Sequence, residues 1–226
     1  MVEENKSLKY FSIISTLFVA LLMISNTVAS KLFSIGPLIF TGAVLVFPLT
    51  YIFGDILTEV YGYRRARKVI WTGFFALIIM SVVYWLVGLL PPASVWQNQE
   101  AYLSILGVVP RMVLASIIGY WAGSFANSFV LAKMKILTRG KHLWTRTIGS
   151  TIIGEGVDTT LFVLIGFYGT APGIILLAAI ISGYIFKVGY EVIATPITYK
   201  IVNSLKRAEG IEIYDTQTRF NPFMLN

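Results

Sequence analysis

Six stretches of this chain read as nearly unbroken apolar runs, with the polar residues gathered between them. They fall roughly at residues 8–30, 37–55, 69–90, 102–132, 148–167 and 173–202. A helix needs about 20 mostly apolar residues to cross the hydrocarbon of a bilayer. Lipid offers no partner to an unpaired backbone N–H or C=O, so each run predicts a helix that closes its own hydrogen bonds. The expectation is an all-α membrane protein of six transmembrane helices, with residues 1–226 forming a single polytopic domain. The first run is long for a signal peptide and no clear cleavage pattern follows it, so it reads as the first span.

Local features refine the pattern. Pro48, inside the second run, lacks a backbone donor and predicts a kink near Thr50–Tyr51. Gly119 and Gly123 in "GYWAG" are spaced for close approach of another helix, and that face could serve a homodimer. The connection "PPASVWQNQEAY" (Pro91–Tyr102) gathers amides around Gln99 and is a candidate cap over a binding site. Acids recur on the second and fifth runs, which hints at a three-plus-three repeat.

Composition agrees with the pattern. Hydrophobic residues make up 56% of the chain and charged residues 13%, against about a quarter charged in a soluble domain. The net charge of +7 would suit a nucleic-acid binder, but its distribution argues otherwise. Arg64, Arg65, Arg67 and Lys68 follow the second run. Lys133, Lys135, Arg139, Lys141 and Arg146 surround the fourth-to-fifth connection. Lys200, Lys206 and Arg207 close the sixth run. Basic residues in alternate loops are the positive-inside pattern. They place both termini in the cytoplasm and make membrane lipids, not nucleic acid, the large partner.

Several chemistries are excluded. With no cysteine and a single histidine, His142, in a basic loop, neither a disulfide nor a metal site is expected. No phosphate-binding glycine loop and no Ser-His-Asp set is visible, so neither an enzyme nor a cofactor is predicted.

The charges inside the apolar runs carry the most information. A charge at bilayer depth costs about 2.5–3.5 kcal/mol on insertion scales and marks function by default. Here Asp55, Glu155, Asp158, Lys187 and Glu191 occur together. At about 1.5 Å per residue, Glu155 lies about 12 Å and Asp158 about 16 Å from the cytoplasmic start of the fifth span. Lys187, about 21 Å from the outer end of the sixth, falls within about 10 Å of Glu155 in height. Glu155 and Asp158 share a helix face at i, i+3, and Lys187 and Glu191 at i, i+4. One ion pair would suffice to fix helix register, yet the acids outnumber the lysine. Surplus carboxylates face water or ligand. Asp55 and Glu59 have a plainer option, pairing with Arg64 or Arg65. With Tyr51 and other aromatics nearby, the set suits a small planar molecule rich in N–H groups.

The motifs "SNTVASKL", "FPLTYIFGDILTEVYGYRRAR", "NSFVLAKMK", "LWTRTIGSTIIGEGVDTT" and "KVGYEVIATP" resemble the bacterial queuosine precursor transporters of the vitamin uptake transporter group, over nearly the whole chain. The resemblance implies a six-helix inner-membrane protein that imports a 7-deazaguanine base, such as the 7-cyano or 7-aminomethyl form or queuine, for transfer-RNA modification. It makes Asn26, Tyr51, Asp55, Gln99, Arg111, Asn127, Glu155, Asp158, Lys187 and Glu191 the candidate substrate-binding residues. Glu155 and Asp158 would accept from ring and exocyclic N–H groups. Gln99, Asn127 or Asn26 would read the ring carbonyl or nitrogens, and Lys187 would balance the acids. One position departs from the pattern: Ser124 stands where the family often carries an acid, which puts any coupling step through that acid in doubt. The rivals are a substrate-binding subunit of an ATP-driven importer and a membrane scaffold that transports nothing.

Overall fold

A computed structural model describes residues 8–137 and 143–211. His142 and the polar segment after residue 211 lie outside the described residues. Among those described are seven α-helices, one β-hairpin and one 3-10 turn. Helix α1 spans Phe11–Val28, α2 Phe47–Tyr61, α3 Tyr63–Leu89, α4 Gln99–Leu106, α5 Val109–Leu137, α6 Leu143–Phe167 and α7 Gly173–Glu209.

Five helical stretches are long and apolar enough to cross a membrane: Phe11–Val28, Arg64–Leu89, Gln99–Ser124, Ile148–Phe167 and Gly173–Glu209. The chain is a multi-pass helical membrane protein, and its apolar surface follows from that. Ile13, Phe75, Trp85, Ile174 and Ile193 are all exposed, which costs nothing in contact with lipid tails.

The second apolar run is where the structure departs from expectation. Residues 37–46 do not begin a spanning helix. Strands β1 (Leu32–Ile35) and β2 (Leu38–Thr41) form an antiparallel hairpin, with Ile35 opposite Leu38 and Leu32 opposite Thr41. The two-residue link is Gly36-Pro37, and Gly36 takes φ +57, a value glycine reaches without a Cβ clash. A 3-10 turn, Gly42–Leu45, then leads into α2. Gly42 donates to Lys31 O at 2.7 Å, and a Cβ there would collide with the Val28 carbonyl. Helix α2 is 15 residues long, or about 22 Å, short of a full crossing. Its proline makes no kink. Pro48 sits in the first turn of α2, where the N–H it lacks would have had no helical partner. The proline inside a helix is Pro196 of α7.

Two apolar clusters hold the bundle. Phe18, Leu22, Leu57, Val60, Phe74 and Leu77 join α1, α2 and α3. Ala29, Ala43, Met112, Val163, Phe167 and Leu176 join the opposite ends of α1, α5, α6 and α7 with the 3-10 turn.

Helices α5 and α6 make the closest approach in the molecule. A Cβ on Gly123 would lie 2.7 Å from Gly154 O and 2.8 Å from Asp158 Cβ; one on Gly154 would lie 2.7 Å from Asn127 Cβ. The Gly119–Gly123 face expected to be open to a second copy is therefore occupied by α6 of the same chain. This crossing sets Asp158 against α5.

The end of the bundle where α1 begins and α7 finishes is closed by a buried carboxylate. Glu209, at the end of α7, accepts from Lys9 N at 2.9 Å, Tyr10 N at 2.7 Å and the Tyr61 hydroxyl at 3.0 Å. Two of these donors are N–H groups at the start of α1, where helices leave them unpaired and where negative charge is favoured.

Candidate functional site

Seven of the ten predicted site residues, Asn26, Tyr51, Asp55, Glu155, Asp158, Lys187 and Glu191, gather on facing helices. Lys187 of α7 is the centre. Its Nζ lies 2.7 Å from Asp158 Oδ2 and 3.2 Å from Glu155 Oε2. The first contact is a hydrogen bond. The second is an ion pair only, and Glu155 Oε2 has no hydrogen-bond donor among the described residues. Both acids are buried, at 3% and 2% exposure, so neither charge is offset by water. The third neighbour is the Phe47 ring, whose centroid lies 4.2 Å from Nζ and whose negative face attracts the cation. Tyr51, one turn along α2, stands beside Glu155 and packs edge-on against Phe47 at 5.1 Å. The pairing expected from matching depths is thus present. It crosses from α6 to α7, while Lys187 and Glu191 do not pair along α7.

Glu191 belongs to a second tier. Its Oε1 accepts from the Thr151 hydroxyl at 2.9 Å, and its neighbour is Asp55 of α2. Asp55 in turn has Glu59 and Glu155 nearby. Asp55 and Glu59 do not use Arg64 or Arg65. Glu59 pairs with Lys206 of α7 at 2.6 Å instead.

Beside the lysine lies a cavity, partly open to its surroundings, bounded by α1, the 3-10 turn, α5, α6 and α7. Its notable walls are Asn26, Thr41, Phe47, Thr159, Phe162 and Lys187. The lysine faces the cavity. The two acids stand behind it and hold it in place. This differs from the arrangement in which the carboxylates meet a ligand first.

The remaining predicted residues fall elsewhere. Gln99 Nε2 donates to Gly88 O at 3.1 Å and caps the end of α3. Arg111 donates to Ile165 O at 2.7 Å and to Tyr168 O, closing the carbonyl end of α6, where a cation suits the helix dipole. Asn127 lies beside Gly154 on the α5–α6 contact, and its Oδ1 is buried without a partner. Ser124 is exposed on α5.

Sequence reasoning passed over Thr159, Phe47 and Phe162. Thr159 was detectable: it follows Asp158 directly, and a hydroxyl one helical turn from Glu155 belongs to the same polar patch. Phe47 was not, because its place beside Lys187 depends on the hairpin that shortens the second run.

Comparison with known proteins places the chain in a family. The family described as "Putative vitamin uptake transporter" matches residues 41–201. The chain is 33% identical over 146 residues to the "Probable queuosine precursor transporter" of Bacillus subtilis, covering 64% of each chain. It is 28% identical over 131 residues to the protein of the same name from Haemophilus influenzae, covering 58% of this chain and 53% of that one. With the "Queuosine precursor transporter" of Escherichia coli it shares 24% over 122 residues, 54% of this chain and 52% of the relative. The matches thus span between about half and two thirds of those relatives' length. No solved structure matches the chain.

Proposed function

The chain belongs to the vitamin uptake transporter family, and from that premise we propose that it imports a queuosine precursor, a 7-deazaguanine base, across the bacterial inner membrane. One observation carries the reading. Lys187, backed by Glu155 and Asp158 in a buried ion cluster, fronts a partly open pocket lined by polar and aromatic side chains. Three ionised groups removed from water are expensive, and register alone needs one pair. A cationic donor beside two aromatic walls, Phe47 and Phe162, suits a flat heterocycle carrying a carbonyl.

In this reading residues 1–226 act as a single transport domain with both termini in the cytoplasm, as the basic loops indicate. Helix α2 and the hairpin before it serve as the sixth membrane element. The substrate enters the cavity from the outer side and rests against Lys187. The cluster then rearranges, and the Asp55–Glu191 tier, with Thr151, lines the way to the cytoplasm. Discontinuous helices at midplane binding sites are a recurring device of transporters. Cytosolic conversion of the base would keep the inward flow favourable, so no ATPase is required.

Uptake by the purified chain in liposomes is the test. Labelled 7-cyano-7-deazaguanine should accumulate with wild type and not with Glu155→Gln. Binding without uptake would instead make the chain a binding subunit of an ATP-driven importer. Neither binding nor uptake of any 7-deazaguanine by folded protein would overturn the reading.

A further inference from the structure

Two buried polar atoms on the cavity wall lack partners, and their chemistry is specific. Asn26 is 1% exposed and Thr159 3%, and both line the cavity. Asn26 Nδ2 donates to Leu22 O at 3.0 Å. A carbonyl can only accept, so this bond settles the amide's orientation. The atom left over is Oδ1, an acceptor, and it has no donor among the described residues. It therefore calls for an N–H or O–H from a ligand, not for a carbonyl.

Thr159 is unusual within its own chain. Five helical threonines here satisfy their hydroxyls by bonding back one turn: Thr27 to Met23 O, Thr58 to Gly54 O, Thr72 to Lys68 O, Thr195 to Glu191 O and Thr198 to Ala194 O. Thr159 makes no such bond to Glu155 O, and its Oγ1 is buried without a partner. Its methyl explains how the side chain is held. Cγ2 sits 3.6 Å from where a Cβ on Gly183 would be, so the methyl packs toward the gap that glycine leaves on α7. A buried hydroxyl left unbonded is costly, and native structures keep few of them.

We infer that Asn26 Oδ1 and Thr159 Oγ1 are the specificity-determining pair of the cavity, reading the N–H donors of a bound heterocycle while Lys187 Nζ meets its carbonyl. This rests on the transport reading above and deepens it by assigning an orientation. The ligand class is a neutral ring with a lactam edge, C=O beside N–H. An amino-substituted ring nitrogen in place of the lactam would set acceptor against acceptor at Asn26 and leave Lys187 without its oxygen. Sites built around buried hydrogen-bonding groups discriminate strongly against ligands that leave them unpaired.

Binding of 7-cyano-7-deazaguanine and of 7-cyano-7-deazaadenine to the purified full chain tests the pair, with Thr159→Val and Asn26→Leu as variants. Wild type should prefer the lactam base by at least about 100-fold. Each variant should lose about tenfold or more in affinity for it, and the preference should shrink. Thr159→Val should also melt no lower than wild type without ligand, because valine fills the same space without an unpaired hydroxyl. That combination of held stability and lost affinity is one a structural hydroxyl would not produce. If wild type binds the lactam base and Thr159→Val binds it within twofold with preference intact, the pair is overturned while the transport reading stands. A lower melting point for Thr159→Val alongside weaker binding would make the hydroxyl structural and also overturn it. If wild type binds neither base, both the pair and the transport reading fall.

Discussion

Two buried glutamates, near the two ends of the polar layer, show opposite bonding. Glu209 is 4% exposed and Glu155 3%. Glu209 accepts from two backbone N–H groups and a tyrosine hydroxyl, all within 3.0 Å. Glu155 Oε2 has the ion pair to Lys187 at 3.2 Å but no well-formed hydrogen bond among the described residues. Around Glu209 the chain closes on itself, joining α1, α2 and α7. Around Glu155 it leaves a cavity whose walls hold two further unpartnered atoms. Burial is thus a poor guide to role by itself. A satisfied buried carboxylate fastens elements together, whereas an unsatisfied one beside a cavity is held ready for something else.

The sharpest way to break this contrast is to remove Lys187. Lys187→Met strands two buried carboxylates, and breaking a buried pair in that way costs about 3–5 kcal/mol. Uptake should vanish and the melting temperature should fall. Adding Asp158→Asn should restore part of the melting temperature without restoring uptake, which would separate charge balance from binding.

Glu209→Ala should come next in size. It leaves two N–H groups at the start of α1 and the Tyr61 hydroxyl without their acceptor. Hydrogen bonds to charged groups contribute about 1.5–3 kcal/mol each, so a loss of several kcal/mol in total is expected. Affinity for ligand, measured on the folded fraction, should stay within twofold of wild type. A large affinity loss would mean that the two glutamates are not as distinct as their bonding suggests.

Gly123→Ala probes how the site is held. The added methyl meets Gly154 O and Asp158 Cβ at under 3 Å, so α5 and α6 must separate. Overpacking of this kind costs about 1–3 kcal/mol, and affinity should fall with stability because Asp158 moves with the contact. The smallest effect belongs to the exposed pair. Glu59→Gln removes the partner of Lys206, with the Glu59 side chain 61% exposed, and should change stability by no more than about 1 kcal/mol. Thermal unfolding in detergent measures both.

How much of this was legible beforehand depends on the kind of information each feature needs. Membrane class, the approximate places of α1, α3, α5, α6 and α7, and the candidate charges follow from the chain alone. They rest on local quantities: the length of an apolar run, the cost of a charge within it, and the rise per residue. Depth matching on consecutive antiparallel spans was enough to suggest that Lys187 would meet Glu155 or Asp158. Distances along one chain and side-chain chemistry are all that such steps require.

Other features were decided only by packing between segments far apart in sequence. The hairpin before α2 shares its apolar composition with a span, and hydrophobicity does not distinguish two short strands from half a helix. Gln99 and Arg111 are polar groups near helix ends whichever way they turn; only the fold shows them capping Gly88 O and Ile165 O instead of facing the cavity. The Gly119–Gly123 face looks the same in sequence whether its partner is a second chain or α6. That Lys187 fronts the cavity with both acids behind it, and that Asn26 and Thr159 on the cavity wall keep buried unpaired polar atoms, depends on which way each helix is rotated. Rotation is set by the summed contacts of α1, α5, α6 and α7, which no single stretch of sequence contains.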